Sequence, residues 1–308
     1  MTPEPARAAS PYRWVAMFVF TLASSLSFLD RQVLAALAPQ LQTEFQLSSQ
    51  QYGYIVSAFS LCYALASPMA GVAIDRIGLN LGISISIGLW SLAGIATGFV
   101  SGFAGLLGCR AWLGAAESGG LPASGKAAAL YLLPRERALG AAFGQIGISI
   151  GMIGAPVLAT GVALRYGWRT AFIVAGVLGF VWIPLWLVVS RWIPRNEVPA
   201  SPGMQGFRDM AADRRLWGLM AANILCMTIY SLWMTWTTVF LVKERGLSQA
   251  EANLRFAWIP PLFAALGGLA GGAMSMRLVR SGVQLSAARA WLSISPLVGS
   301  ASVNRLRH

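Results

Sequence analysis

Long apolar stretches alternate with short polar ones along most of the chain. A helix needs about 20 apolar residues to cross roughly 30 Å of hydrocarbon, and these stretches are about that long. The pattern predicts about eight membrane-spanning helices: Trp14–Ala38, Tyr52–Ile74, Leu81–Val100, Phe103–Ala123, Leu139–Leu164, Ala171–Ser190, Leu216–Val242 and Phe256–Met274. A ninth apolar stretch begins near Trp291, but it is only about ten residues long, too short to span.

The composition agrees with a membrane protein, since 56% of the 308 residues are hydrophobic and 11% are charged. Soluble domains carry about twice that share of charge. The first apolar stretch is longer than the core of a cleaved signal peptide, and Asp30 and Arg31 interrupt it late. We therefore expect it to remain as a membrane helix.

The net charge of +12 is distributed unevenly across the predicted membrane. With the N-terminus in the cytoplasm, fourteen basic residues lie on the inner side: Arg7, Arg13, Arg76, Lys126, Arg135, Arg137, Arg191, Arg195, Arg208, Arg214, Arg215, Arg277, Arg280 and Arg289. Five lie on the outer side: Arg165, Arg169, Lys243, Arg245 and Arg255. This bias predicts a cytoplasmic N-terminus. Because no basic residues cluster with stacking aromatics outside the spans, we expect no nucleic-acid partner.

Residues typical of enzymes and metal sites are scarce. Cys62, Cys109 and Cys226 lie within apolar spans without metal-ligand spacing, and the single histidine is His308. A nucleophile, a base and an orienting group do not occur at usable spacing. We expect neither enzymatic activity, nor a metal, nor a cofactor.

A polar, proline-rich and basic segment, residues 191–215, divides the chain. It predicts a six-helix bundle at 1–190, a cytoplasmic linker at 191–215 and an incomplete C-terminal bundle at 216–308. Gly71-Val-Ala-Ile-Asp-Arg-Ile-Gly, after the second span, has a weak echo 201 residues later, beginning at Gly272 after the eighth. Such an echo is typical of a parallel internal repeat.

Residues 120–127, GLPASGKA, resemble a nucleotide-binding P-loop. However, Ala127 stands where the magnesium-binding hydroxyl would be, and an apolar helix precedes the segment instead of a strand. We interpret Lys126 as an anchor at the inner end of the fourth span.

Four ionisable residues lie inside spans: Asp30, Arg31, Arg110 and Glu117. Each costs about 2.5 to 3.5 kcal/mol near the bilayer centre, so we expect them to face the bundle interior or a water-filled cavity. Asp30 lies about 24 Å along the first span and Arg110 about seven residues into the fourth, so the depths allow an ion pair in the outer half. Glu117 lies two turns further along the same face.

These charges have two interpretations. They can bind helices together as buried pairs, or they can serve transport. A carboxyl without a fixed partner in a low-dielectric site can carry a proton, and Arg31, turned about 100° from Asp30, can hold an anion through two hydrogen bonds.

Two other features also have both a structural and a functional interpretation. The fifth span carries glycines on one side, which indicate close helix packing or a flexible gating helix: Gly144, Gly147, Gly151 and Gly154, before Pro156. Tyr63, Tyr230 and Trp236 can line a polar cavity, or they can simply pack.

Several stretches resemble the major facilitator superfamily, and within it the anion:cation symporters, up to about Arg289. The stretches are FLDRQVLAALAP, GVAIDRIG, RAWLGAAESGGLPA, YLLPRERALG, GWRTAF, YSLWMTWTTVFL and FAWIPPLFAALGGLAGG, the last similar to the hexuronate and sugar-acid branch. The resemblance implies an all-α, twelve-helix bundle that moves organic anions with protons by rocking two halves about a central site.

The resemblance also implies roles for particular residues. Asp30, Arg110 and Glu117 would serve proton coupling. Substrate binding would use Arg31, Tyr63, Tyr230 and Trp236. The cytoplasmic gate loop would contain Gly71, Asp75, Arg76 and Gly78.

The sequence departs from the family pattern at three points. Leu79 and Asn80 replace the usual basic residues, Met276 stands where the repeat usually has an aspartate, and helices nine to twelve are missing. We expect a symporter of hexuronates, aldonates or related sugar acids in the cell inner membrane. The alternative is a truncated, non-transporting remnant or accessory protein. The residues decide neither the anion, nor proton against sodium coupling or exchange, nor the oligomeric state.

Overall fold

The computed structural model describes residues 12–133, 136–193 and 212–280, and within these ranges the chain is helical without strands. The helices are α1 Arg13–Glu44, α2 Ser49–Ile77, α3 Leu79–Thr97, α4 Phe103–Glu117, α5 Gly120–Tyr131, α6 Arg137–Tyr166, α7 Trp168–Trp192, α8 Arg214–Arg245, α9 Gln249–Glu251 and α10 Ile259–Arg280. A π-helical turn, Ala252–Phe256, follows α9 directly.

Six helices in the described part are long and apolar enough to cross a membrane. They are α1, α2, α3, α6, α7 and α8, and they correspond to six of the eight predicted spans, although the third span, Leu81–Val100, extends beyond the end of α3 at Thr97. The predicted all-helical membrane fold is therefore confirmed.

The fourth predicted span differs from the expectation, because it is two helices instead of one. α4 ends at Glu117 and α5 begins at Gly120. Pro122 explains the break, since a proline ring clashes with the carbonyl four residues earlier, here that of Ser118. The break leaves Glu117 as the last residue of α4.

The eighth predicted span also begins later than expected. Residues 252–256 form the π-helical turn, and α10 starts at Ile259. Residues 272–280 of the Gly272 motif lie inside α10, and the stretch near Trp291 lies outside the described residues.

α1 is central to the packing of the first seven helices. It packs against α6 and α7, while α2 packs on α4 and α3 packs on both α4 and α7. Two buried apolar clusters hold these helices together, one around Leu37 and Leu106, the other around Trp90 and Trp186. α1 also contacts α5 and α8, so it borders most of the other helices.

The chain divides into two compact units, one extending to Pro260 and the other beginning at Pro261. The predicted linker, residues 191–215, lies mostly outside the described residues. The predicted bundles at 1–190 and 216–308 therefore stay predictions.

Candidate functional site

The four charged residues within the predicted spans are sheltered. Asp30, Arg110 and Glu117 are 4%, 3% and 1% exposed, and the Arg31 side chain is 23% exposed. This agrees with the high cost of leaving a charge in hydrocarbon.

Arg31 and Glu117 form an ion pair between α1 and α4. Arg31 Nε donates to Glu117 Oε2 at 2.6 Å. Ser27 lies one turn earlier on α1, and its hydroxyl donates to the same oxygen at 2.9 Å. The other oxygen, Glu117 Oε1, is buried without a hydrogen-bond partner in the described part of the chain.

Three aromatic rings surround the Arg31 guanidinium. Its Cζ lies 4.5 Å from the Phe28 ring centre, 4.9 Å from that of Phe59 and 4.8 Å from that of Tyr63. Each distance is within the range for cation–π attraction. The rings hold the charged head in place where it meets Glu117.

A cavity of about 350 Å³ lies beside this ion pair. Its lining includes Arg31 and Glu117, and it extends along α1 back to Met17, about 21 Å along the helix axis. The volume lies in the range of small-molecule sites. The polar part of the remaining lining consists of Ser24, Ser27, Tyr63, Ser124 and Gln145.

A second, smaller cavity of about 60 Å³ lies on the other side of Arg31. Arg110, Tyr52 and Thr235 are among the residues that line it. Arg110 Nε is buried without a hydrogen-bond partner among the described residues. Arg31 thus lies between two cavities and borders both.

Asp30 faces a different direction from Arg31. A Cβ placed on Gly94 of α3 would lie 3.9 Å from Asp30 Oδ1, and Asp30 lines neither described cavity. No ion pair joins Asp30 to Arg110 in the described part; the pair formed is between Arg31 and Glu117. The positions of Asp30 and Arg110 along their helices allow an ion pair between them. However, successive residues on a helix point about 100° apart, so Asp30 and Arg31 face different partners.

The aromatic residues predicted for the binding site are separated. Tyr63 lines the larger cavity. Tyr230 donates its hydroxyl to Met152 Sδ at 3.0 Å, and Trp236 packs edge-on against Tyr52 at 5.1 Å. Tyr230 and Trp236 line neither of the two described cavities.

Several polar residues that line the larger cavity are not among the residues predicted from the sequence. Ser24 and Ser27 precede Arg31 at helical spacing, so following the Arg31 face backwards along α1 would have found them. Gln145 carries an amide in an otherwise mostly apolar span, which is also a readable signal. Ser124 was hidden inside the segment compared with a P-loop.

That segment is helical, because it lies in α5, Gly120–Tyr131, and Lys126 is in the middle of this helix. Lys126 Nζ donates to the Ile74 carbonyl oxygen at 3.0 Å and to Asp75 Oδ1 at 2.8 Å. It therefore ties α5 to the last turn of α2.

Most of the predicted gate loop is helical. Gly71, Asp75 and Arg76 lie in the last turns of α2, and only Gly78 lies in the turn before α3. Gly78 has φ +88°, a conformation that glycine adopts without strain. The predicted loop is therefore a sharp turn at Gly78, the single residue between α2 and α3.

Comparison with known proteins agrees with this architecture. The family model described as Major Facilitator Superfamily matches residues 20–303. The chain is 30% identical over 283 residues to the galacturonate transporter of Dickeya chrysanthemi, covering 86% of this chain and 81% of that protein. It is 31% identical over 279 residues to the hexuronate transporter of Escherichia coli K12, covering 84% and 64%.

A solved structure is also similar. It is a bacterial homolog of the human lysosomal transporter Spinster in an inward-facing, unoccupied conformation, with a TM-score of 0.74 and 25% identity. The match covers 88% of this chain and 64% of that one. The chain therefore spans less than two thirds of the length of this protein and of the hexuronate transporter.

Proposed function

Because this chain belongs to the Major Facilitator Superfamily, we propose that it carries a small sugar acid, such as a hexuronate or an aldonate, across a cell inner membrane together with protons. We also propose that the N-terminus lies in the cytoplasm. The observation that carries the proposal is the Arg31–Glu117 ion pair at one end of a cavity of about 350 Å³.

Arg31 is assigned to the substrate carboxylate. It is the one basic side chain in the described lining of the larger cavity. A guanidinium can donate two parallel hydrogen bonds to a carboxylate, and the aromatic cage favours a planar cation over a compact one. The relatives named for galacturonate and hexuronate transport point to the same class of ligand.

Hydroxyl and amide groups along the cavity are assigned to the sugar hydroxyls. Ser24 and Ser124 offer hydroxyls, and Gln145 offers both donors and an acceptor. These groups and Tyr63 suit a ligand with several hydroxyls better than a simple fatty acid. The arrangement of substrate hydroxyls that these side chains bind best decides which sugar acid is carried.

Glu117 is assigned to proton coupling because it competes with the substrate for Arg31. While Glu117 is charged, it occupies the Arg31 guanidinium at 2.6 Å. A proton taken up by Glu117 removes that charge and frees Arg31 for a carboxylate; its release on the other side restores the pair. Asp30, buried on the side of α1 that faces Gly94 of α3, is the second proposed proton carrier, and Arg110 stabilises whichever carboxylate is charged.

Uptake into vesicles that contain the purified chain tests this scheme. Labelled glucuronate or galacturonate is supplied with the outside acidic, or without a gradient, and a sodium gradient is run in parallel. We expect the acid outside to stimulate uptake by the unaltered chain. Glu117→Gln is expected to lose the stimulation, because an amide mimics a permanently protonated acid.

The matched control is Glu44→Gln, which makes the same change at an ion pair with Arg169 away from the cavity. It should keep the response to the pH gradient. Stimulation by sodium in place of protons, or an unchanged pH response in Glu117→Gln, would contradict the coupling scheme. No uptake at all would favour a non-transporting accessory protein.

A further inference from the structure

Asn253 lies at a junction of three helices. It is fully buried in the π-helical turn that follows α9. Its Oδ1 accepts from Thr238 on α8 at 2.9 Å, and its Nδ2 donates to Thr160 on α6 at 3.0 Å and to the Ala36 carbonyl on α1 at 2.8 Å. One amide thus uses both ends to join α1, α6 and α8.

The contact with α1 is made at a weak point in that helix. Pro39 has no N–H, so the helix lacks one backbone hydrogen bond there. In addition, Gln40 N donates to Gln249 Oε1 at 2.9 Å. Gln40 N and Ala36 O are the donor and acceptor of one helical turn, and each has a side-chain partner from the segment 249–253. This segment therefore recognises the α1 backbone itself.

The π-helical turn provides the geometry for this contact. Ala257 N donates to Ala252 O at 2.9 Å, a span of five residues. A wider turn of this kind often occurs at functional sites, because it turns side chains out of the regular helical register. Buried polar groups that are all hydrogen-bonded also specify one arrangement of helices more strictly than apolar contacts do.

Among the described residues of α8, burial is greatest near the C-terminal end of the helix. Thr238 and Val239 are buried, whereas the described side chains from Met220 to Ile229 are exposed. Near the buried end, Tyr52 donates its hydroxyl to the Thr235 carbonyl oxygen at 3.3 Å. The larger cavity extends towards Met17, which lies at the opposite end of α1. The described contacts of α8 with α1 and α2 therefore lie near the predicted outer side, where Asn253 also lies.

We propose that Asn253 is the latch of the outer gate: its amide holds the α8 end and the following turn against α1 and α6, and these hydrogen bonds break when the outer side opens. The inference rests on the proposed transport cycle. In the open state the same groups are hydrated, so each bond favours the closed state by a modest factor, roughly twofold to tenfold.

Cysteine accessibility tests the latch without measuring transport. In a chain with Cys62, Cys109 and Cys226 replaced, Val239→Cys reports the outer contact and Ala128→Cys reports the inner part of the cavity. A membrane-impermeant maleimide is applied from one side at a time. Asn253→Ala removes all three of these hydrogen bonds, so it should raise labelling at position 239 from outside roughly tenfold or more and lower labelling at position 128 from inside.

Thr238→Val removes one of the hydrogen bonds to Asn253, so it should give a smaller shift in the same directions. Thr228→Val is the control, since in the described part of the chain its hydroxyl donates to the Ile224 carbonyl on the exposed part of α8. It should change the labelling rate at neither position.

Unfolding of a variant would raise labelling at both positions. The proposal is overturned if Asn253→Ala raises the labelling rates at both positions 239 and 128, or if it changes neither rate. Loss of sugar-acid uptake leaves the labelling result unaffected, so the two proposals can fail separately.

Discussion

At the residue scale, the Arg31 side chain combines a buried acidic partner, three aromatic rings and access to a cavity. Removing two charges from water costs several kcal/mol for each ion, so a buried pair contributes little net stability. The cation–π contacts add about 0.5 to 2 kcal/mol each. Because the desolvation of the Arg31–Glu117 pair offsets its attraction, the pair fits the proposed role in ligand binding better than a role in stability.

Arg31→Lys tests this interpretation. Lysine keeps the charge but loses the planar fork, so we expect sugar-acid binding to weaken roughly 10- to 100-fold, the effect of losing a charge-assisted hydrogen bond. Binding is measured as the half-saturating substrate concentration of uptake, and folding by the melting temperature in detergent.

Arg13→Lys is the matched control, since Arg13 also pairs with a glutamate, Glu136, but at the start of α1. Its half-saturating concentration should stay unchanged. Equal half-saturation for Arg31→Lys and the unaltered chain would contradict the assignment of Arg31 to the carboxylate.

At the element scale, the glycines of α6 separate into two kinds. A Cβ on Gly147 would overlap the Thr21 carbonyl oxygen, and one on Gly151 would overlap that of Ser25. Around Gly144 and Gly154 there is open space. Two of the four glycines thus allow close packing of α6 on α1, which favours the packing interpretation for them. Gly144 lines the larger cavity instead.

Gly151→Ala and Gly154→Ala should therefore have opposite effects on stability. The first forces the α1 and α6 backbones apart and should lower stability by about 1 to 3 kcal/mol. The second adds a better helix former without a clash and should raise it by about 0.5 to 1 kcal/mol. Thermal unfolding in detergent compares them, and a stable Gly151→Ala variant would contradict the close approach.

At the scale of the whole molecule, polar clusters mark both ends of the bundle. Arg13 pairs with Glu136 at the start of α1, while Glu44, at its end, bonds to Arg169 and to the Trp168 indole. The 32 residues of α1 extend about 48 Å, slightly more than a bilayer with its headgroups. Both clusters can therefore lie in the interfacial layers, with the helix crossing between them.

This arrangement and the positive-inside bias predict the orientation. Alkaline phosphatase fused after Gln46, between α1 and α2, should be active outside, whereas green fluorescent protein fused after Gly78 should fluoresce in the cytoplasm. Exchanging the two reporters should abolish both signals. Phosphatase activity after Gly78 would reverse the assigned orientation, and with it the side on which the Asn253 latch lies.

Several properties could be predicted from the sequence because they depend only on the side chains within one short segment of the chain. Apolar length predicts the spans, and the cost of a charge in hydrocarbon requires that Asp30, Arg31, Arg110 and Glu117 be sheltered. The steric effect of proline also predicts the break before Pro122, whereas apolar length alone predicts a continuous span.

The partners of these charges, in contrast, depend on the rotation of each helix about its axis and on which helices touch. Depth along the chain allowed Asp30 to meet Arg110, yet packing turned Arg31 towards Glu117 and left Asp30 beside Gly94. The junction at Asn253 joins residues 217 positions apart in the chain, so no local pattern reveals it. The sequence by itself determined that this chain crosses a membrane with buried charges; only the tertiary structure decided which charges meet, because helix contacts set those distances.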